Sequence, residues 1–263
     1  MKCVILAAGV SRRLRPITND TPKCLLKVGG IPILERIIRE LHAAGIVDIA
    51  IVLGYRDDLI RRFLRRRFPD ATIAFVKNTS FRSTNNAYSL FIAREFCLHH
   101  PTEGPPKRGR KKTIPDHSFL LLDGDIIFSH HLLTHLKQSR GANRVAVRVS
   151  GKHNEEEMRV RIDRYANILE ISKHVSFRST FGESLGIEIF SPRATVRLFA
   201  ILGERMRNGN GRSEYYESAF QQMIDEGIPL KAIDVSSFPA AEIDTKEDLE
   251  YAEHTLIPLL DHA

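Results

Sequence analysis

The first 76 residues alternate between two hydrophobic periods, and that alternation leaves few folds open. Residues 3–6 form a short apolar run of strand type. Pro32 then opens an amphipathic segment over 33–44, with Leu34, Ile37, Ile38 and Leu41 at helical spacing and Gly45 as its C-cap. A β-rich run follows at 48–53. A second helix is expected at 57–68, with Leu59, Ile60, Phe63, Leu64 and Phe68 inward, and a third strand at 71–76. Strand, helix, strand, helix, strand at this rhythm predicts right-handed crossovers and a parallel sheet. Ligands of such sheets bind at the carboxyl ends of the strands.

The end of the first strand carries the groups an anion needs. Its apolar run breaks at Ala7-Ala8-Gly9, small residues that let a ligand approach the backbone N–H groups. Arg12, Arg13 and, after a Pro-bounded loop, Lys23 bring charge suited to phosphate oxygens. Gly9 is followed by Val10-Ser11-Arg12-Arg13-Leu14, which excludes both the P-loop and the dinucleotide-binding glycine pattern.

This string resembles the signature loop of the nucleotidyltransferases that activate sugar 1-phosphates and phospho-alcohols. The matched positions are Leu6-Ala7-Ala8-Gly9, Arg13-Leu14, Pro16, Thr18, Pro22-Lys23 and Leu25; Ser11 stands where that pattern has its second glycine. Asn85-Asn86-x-Tyr88-Ser89-Leu90 resembles a run found in phosphocholine cytidylyltransferases and their phospho-alcohol or phosphonate relatives. Read by itself, the stretch is also capping chemistry, with Ser83 or Thr84 opening a helix near Asn85. The resemblance implies that Leu6, Ala7, Ala8, Gly9, Asn85 and Asn86 hold the nucleotide, with Arg13 and Lys23 on its phosphates.

Residues 119–122 read as a buried strand ending in Asp123-Gly124-Asp125. Carboxylates there are hard oxygen ligands for Mg²⁺, although Asp-Gly is also turn chemistry. The resemblance assigns the metal to Asp125 and to Asp244 of Glu242-Ile243-Asp244-Thr245, and puts Asp123 near the base. Thr245 and Asp248 form an expected capping box for the last helix. A helix is expected at 129–138, a strand at 144–149, and a hairpin at 158–163 and 168–172. Lys173 at the hairpin's end matches by position a lysine that reaches the acceptor phosphate.

Residues 181–187 resemble the family's return strand, and the resemblance implies Glu183 as an acceptor contact, with a solvated rim glutamate as the alternative. Helices are expected at 192–207 and 213–226. Tyr215, Tyr216 and Glu217 in the second are a candidate pocket for a cationic head group by cation–π contact and charge; a core-facing helix with exposed acids reads equally well.

Composition bounds the rest. Five of the net +7 charges sit at Lys107, Arg108, Arg110, Lys111 and Lys112, so the remainder of the chain carries only +2. The segment 99–117, with four prolines and no apolar periodicity, reads as a flexible basic insertion. The arginines of the second helix read as a solvated face, and no nucleic-acid partner is expected. Three cysteines without a C-x-x-C pair, and no run of membrane-spanning length, predict a reducing, cytoplasmic setting without membrane insertion.

The expectation is one α/β domain over 1–263: a Rossmann-like, mixed, mainly parallel sheet flanked by helices, with a small β-hairpin subdomain over the active site. The resemblance implies Mg²⁺-dependent transfer from an NTP, CTP first, to a small phosphomonoester, phosphocholine first, with pyrophosphate released. Inositol 1-phosphate, aminoethylphosphonate and sugar 1-phosphates are alternative acceptors, and a non-catalytic nucleotide-binding regulator is the alternative of another class. The oligomeric state, a homo-oligomer included, stays open.

Overall fold

The structure is a computed structural model that describes residues 1–99, 118–150, 154–209 and 211–261. The expected basic insertion, from residue 100 to 117, lies outside the described residues. The principal elements are β1 (Lys2–Ala7), α1 (Ile33–Ala43), β2 (Ile49–Leu53), α2 (Asp57–Arg67), β3 (Ile73–Lys77) and α3 (Asn86–Ile92). They continue as β4 (Phe119–Asp123), α4 (His130–Gln138), β5 (Arg144–Arg148), β6 (Arg159–Ile162), β7 (Ile168–Ser172) and β8 (Gly182–Phe190). Last come α5 (Pro192–Arg207), α6 (Glu217–Asp225), β9 (Lys231–Asp234) and α7 (Lys246–Tyr251).

Strands β3, β2, β1 and β4 lie side by side and parallel. β8 joins β4 antiparallel, and β5 and β9 then resume the original direction. The period of two along β1 and β4 sorts the core. Cys3, Ile5, Leu120 and Leu122 face a layer with α1, α2 and α4; Val4, Leu6, Phe119 and Leu121 face one with α3, α5 and α6. Each fully buried Ile or Leu of α1 contributes about 1.5–3 kcal/mol by leaving water.

The carboxyl ends of β1, β2 and β4 are zipped together by backbone contacts that need glycine. Tyr55 N–H donates to the Ala8 carbonyl at 3.1 Å and Gly124 N–H to the Leu6 carbonyl at 2.9 Å. A Cβ on Gly54 or Gly124 would stand 2.6 or 2.7 Å from those same carbonyl oxygens. The loop after β1 is thereby held between the loops after its two neighbours.

β8 is not regular. Its register against β5 shifts between Ser184 and Glu188, and Gly186 there has a φ of 61°. Beyond this bulge the amino half of β8 leaves β4 and pairs instead with β6, through Gly182–Val160 and Glu183–Arg159. The hairpin β6–β7 is thus hydrogen-bonded into the main sheet rather than forming a separate layer. Its turn is built by Asp163, whose Oδ1 accepts from the N–H groups of Tyr165 and Asn167, both at 2.8 Å.

Two expected helix starts differ. α3 is capped by Asn85, whose side chain accepts from Asn86 N–H, not by Ser83 or Thr84. α6 begins at Glu217 instead of residue 213, because Tyr216 N–H donates to the Asn86 side-chain oxygen at 2.9 Å. The capping box of Thr245 and Asp248 forms as expected. All three cysteines are free and buried.

Candidate active site

The signature loop is shaped by Ser11. Its backbone is left-handed, with φ 53° and ψ 57°, which is the conformation that a glycine takes most readily. The Thr18 hydroxyl donates to the Ser11 carbonyl at 2.8 Å and closes the loop. The turn Arg12–Leu14 buries Leu14 and leaves Arg13 at the surface. Past Pro22, the short turn Lys23–Leu25 carries Lys23 inward until only 7% of it is exposed.

A two-stranded ladder, Ile126–Phe128 against Ala240–Glu242, brings the two candidate metal residues together. Ile243 N–H donates to the Asp125 carbonyl at 3.0 Å, so Asp125 and Asp244 flank the same end of the ladder. Lys23 Nζ lies 2.6 Å from Asp125 Oδ2 and 2.6 Å from Asp244 Oδ1. Arg13 reaches Asp244 Oδ2 at 2.8 Å. Burial alone would lower the Lys23 pKa; the two carboxylates outweigh it and hold the ammonium above its usual range. Burial likewise pushes Asp244 up, but Lys23 and Arg13 bring it below the usual carboxylate range.

The donor set fits a hydrated hard cation. Two carboxylates converge on one point now filled by an ammonium, and among the described residues no group of three or more His, Cys, Asp or Glu is arranged to hold a metal. Mg²⁺ characteristically takes one or two carboxylates and completes its shell with water and substrate phosphate.

The ion chain extends further. Glu156 Oε2 accepts from Lys173 Nζ at 3.0 Å and lies 3.9 Å from Arg13. Lys173 Nζ also sits 4.9 Å over the Tyr215 ring. Sequence reasoning missed Glu156, because a Glu run in a polar loop carries no local signature.

The expected acceptor pocket is corrected in two places. The Tyr216 ring is 0% exposed, so it offers no face to a ligand; its hydroxyl donates to Asp123 Oδ2 at 3.0 Å. Glu183 is buried and ion-paired to Arg148, so it is no rim carboxylate. Tyr215 remains half exposed beside Lys173, and Glu217 is buried with an Oε2 that has no hydrogen-bond partner. Asn85 and Asn86 spend their side-chain oxygens on Asn86 N–H and Tyr216 N–H, tying α3 to the 212–216 turn.

Behind these groups lies an acid that sequence reasoning also missed. Glu188, in the middle of β8, is fully buried, held by Ser184 Oγ at 3.3 Å, with its Oε2 unpartnered. Burial drives the Glu188, Asp123 and Glu217 carboxyls upward, Glu217 to about 8. The Glu217 carboxyl therefore binds its proton more tightly folded than unfolded. Its stabilising contribution is complete below about pH 4.5 and is lost as pH rises through about 8. Glu217→Gln should flatten the fall in stability across this window and be the more stable protein at its upper end, by at most about 3–5 kcal/mol. Urea unfolding of both proteins from pH 5 to 9 checks this; parallel curves would mean an ordinary carboxyl.

The model of the MobA-like NTP transferase domain matches residues 3–184. The chain belongs to this family. Among relatives of this MobA-like protein, a choline-phosphate cytidylyltransferase of Streptococcus pneumoniae is 39% identical over 95 residues, 36% of this chain and 40% of the relative. The chain spans only about two fifths of the length of this relative and of a CTP:phosphoglutamine cytidylyltransferase of Campylobacter jejuni. A 2-aminoethylphosphonate cytidylyltransferase of Lancefieldella rimae matches from end to end, 24% identical over 257 residues, covering 98% of this chain and 94% of the relative. The solved structure of CTP:phosphocholine cytidylyltransferase from Streptococcus pneumoniae has the same fold: TM-score 0.74 at 21% identity, over 97% of this chain and 98% of that one.

Proposed function

We propose that this member of the MobA-like family transfers a nucleotidyl group from an NTP to a small phosphomonoester or phosphonate and releases pyrophosphate. The observation that carries the reading is the convergence of Lys23, Arg13, Asp125 and Asp244 at the carboxyl ends of the parallel strands. Asp125 and Asp244 are the residues that would hold Mg²⁺, which when bound supplies charge neutralisation at the phosphates.

The chain's own residues have little acid–base work to do. A phosphomonoester with a second pKa near 6 is already largely dianionic at neutral pH and needs no general base. Catalysis then rests on positioning and charge. Arg13 and Lys23 neutralise the triphosphate and its leaving group. The backbone of Leu6 to Gly9 packs the nucleoside, and Lys173 steers the acceptor phosphate. The matches to cytidylyltransferases, one partial and one end to end, favour CTP.

Phosphocholine is the first acceptor, with the half-exposed Tyr215 ring offered to its cationic head. A second reading, 2-aminoethylphosphonate, draws on the end-to-end relative. Pyrophosphate release with each of four NTPs against phosphocholine, 2-aminoethylphosphonate, inositol 1-phosphate and glucose 1-phosphate tests both. The expected result is strongest turnover with CTP and an amine-bearing acceptor; preference for inositol 1-phosphate would remove the cationic pocket, and no turnover with any pair would remove the transferase reading.

A further inference from the structure

One carboxylate, Glu156, links the signature loop to the end of the hairpin. Glu156 Oε2 lies 3.0 Å from Lys173 Nζ and 3.9 Å from Arg13. Arg13 turns its other terminal nitrogen to Asp244 at 2.8 Å. The charges therefore alternate without a break: Lys173, Glu156, Arg13, Asp244, Lys23, Asp125. Asp125 and Asp244 are accounted for by the metal reading, and Lys23 by its burial between them. Glu156 has no such role, yet it sits between the two cations assigned to substrate phosphates.

We propose that Glu156 is an internal counter-ion, holding Lys173, the cation of the acceptor phosphate, against Arg13 on the triphosphate side until a dianionic acceptor group displaces it. The inference rests on the phosphate-binding reading of Arg13 and Lys173. Its physics is simple. The Glu156 side chain is 72% exposed, and an exposed ion pair is weak enough to be exchanged. A carboxylate carries one negative charge, whereas a phosphomonoester near neutral pH carries close to two and has three acceptor oxygens. The exchange is favourable for a dianion and close to neutral for a monoanion. Glu156 thus competes with every incoming anion, leaving weak monoanionic binders such as phosphodiesters and simple carboxylates largely unbound, and it raises the acceptor KM. It is a positioning residue: it acts on substrate through Arg13 and Lys173.

The test compares wild type, Glu156→Gln and Glu155→Gln, the last removing the same charge one residue away. For a turned-over phosphomonoester, Glu156→Gln should lower the acceptor KM about three- to ten-fold with kcat within about two-fold. Glu155→Gln should leave both near wild type. The KM of Glu156→Gln should also rise more steeply between about 0.05 and 0.3 M salt, because in wild type salt weakens the internal pair together with the substrate pair. Inhibition by a monoanionic methyl phosphodiester should strengthen in Glu156→Gln alone. An unchanged or raised acceptor KM in Glu156→Gln, or an equal drop in Glu155→Gln, overturns the proposal. Calorimetric titration with inorganic phosphate reads the same displacement without turnover. Tighter binding by Glu156→Gln supports the counter-ion and equal binding overturns it, even if no NTP and acceptor pair reacts and the transferase reading falls.

Discussion

Replacing Asp125 or Asp244 with alanine should lower Mg²⁺-dependent turnover by ~10²–10³-fold or more, the usual loss when an electrostatic element of a catalytic site is removed. The fold should survive, because both side chains sit at the surface end of the ladder between 126–128 and 240–242 and about a third of each is exposed. Pyrophosphate release at saturating substrate, read beside circular dichroism, separates the two effects. Near-normal turnover in either variant would show that the metal pair is elsewhere.

Lys23→Met should be nearly as costly to turnover, and it has a second signature. Without the ammonium, Asp125 and Asp244 face each other with only Arg13 to offset them. Unpaired like charges destabilise the fold, and a divalent cation binding between them restores it by mass action. Thermal unfolding of Lys23→Met should therefore rise with millimolar Mg²⁺ by clearly more than that of wild type. A variant insensitive to Mg²⁺ would place the cation away from this pair. Wild-type turnover would remove Lys23 from the chemistry.

The backbone plan was legible where local chemistry fixes it. The apolar run at 3–6, the helical stripe of Leu34, Ile37, Ile38 and Leu41, and the box of Thr245 and Asp248 each depend on neighbours within a few residues, and each forms. What failed depended on partners far along the chain. Tyr216 reads locally as either a pocket wall or a core-facing aromatic, and bonds to Asn86 and Asp123, 130 and 93 residues away, hold it in the core. Glu183 reads as a rim residue until the bulge at Gly186 turns the strand and sets it against Arg148. Glu188 had a usable signal, a charge between Ile187 and Ile189 in a strand that is buried along its whole length.

The span of Lys23's contacts bears on how the protein comes into being. Its two partners lie 102 and 221 residues downstream, and the second follows the segment that matches the family model, which ends at 184. During synthesis the signature loop, β1 to β4 and Asp125 leave the ribosome well before Asp244 does. A chain cut short anywhere in between keeps the family's recognisable half, yet its lysine has one carboxylate instead of two. On the proposed reading of the carboxylate pair, abortive translation products and proteolytic fragments that lack Asp244 should be poor transferases, and chimeras that graft the N-terminal half onto a relative should need that chain's counterpart of Asp244 in register with Asp125.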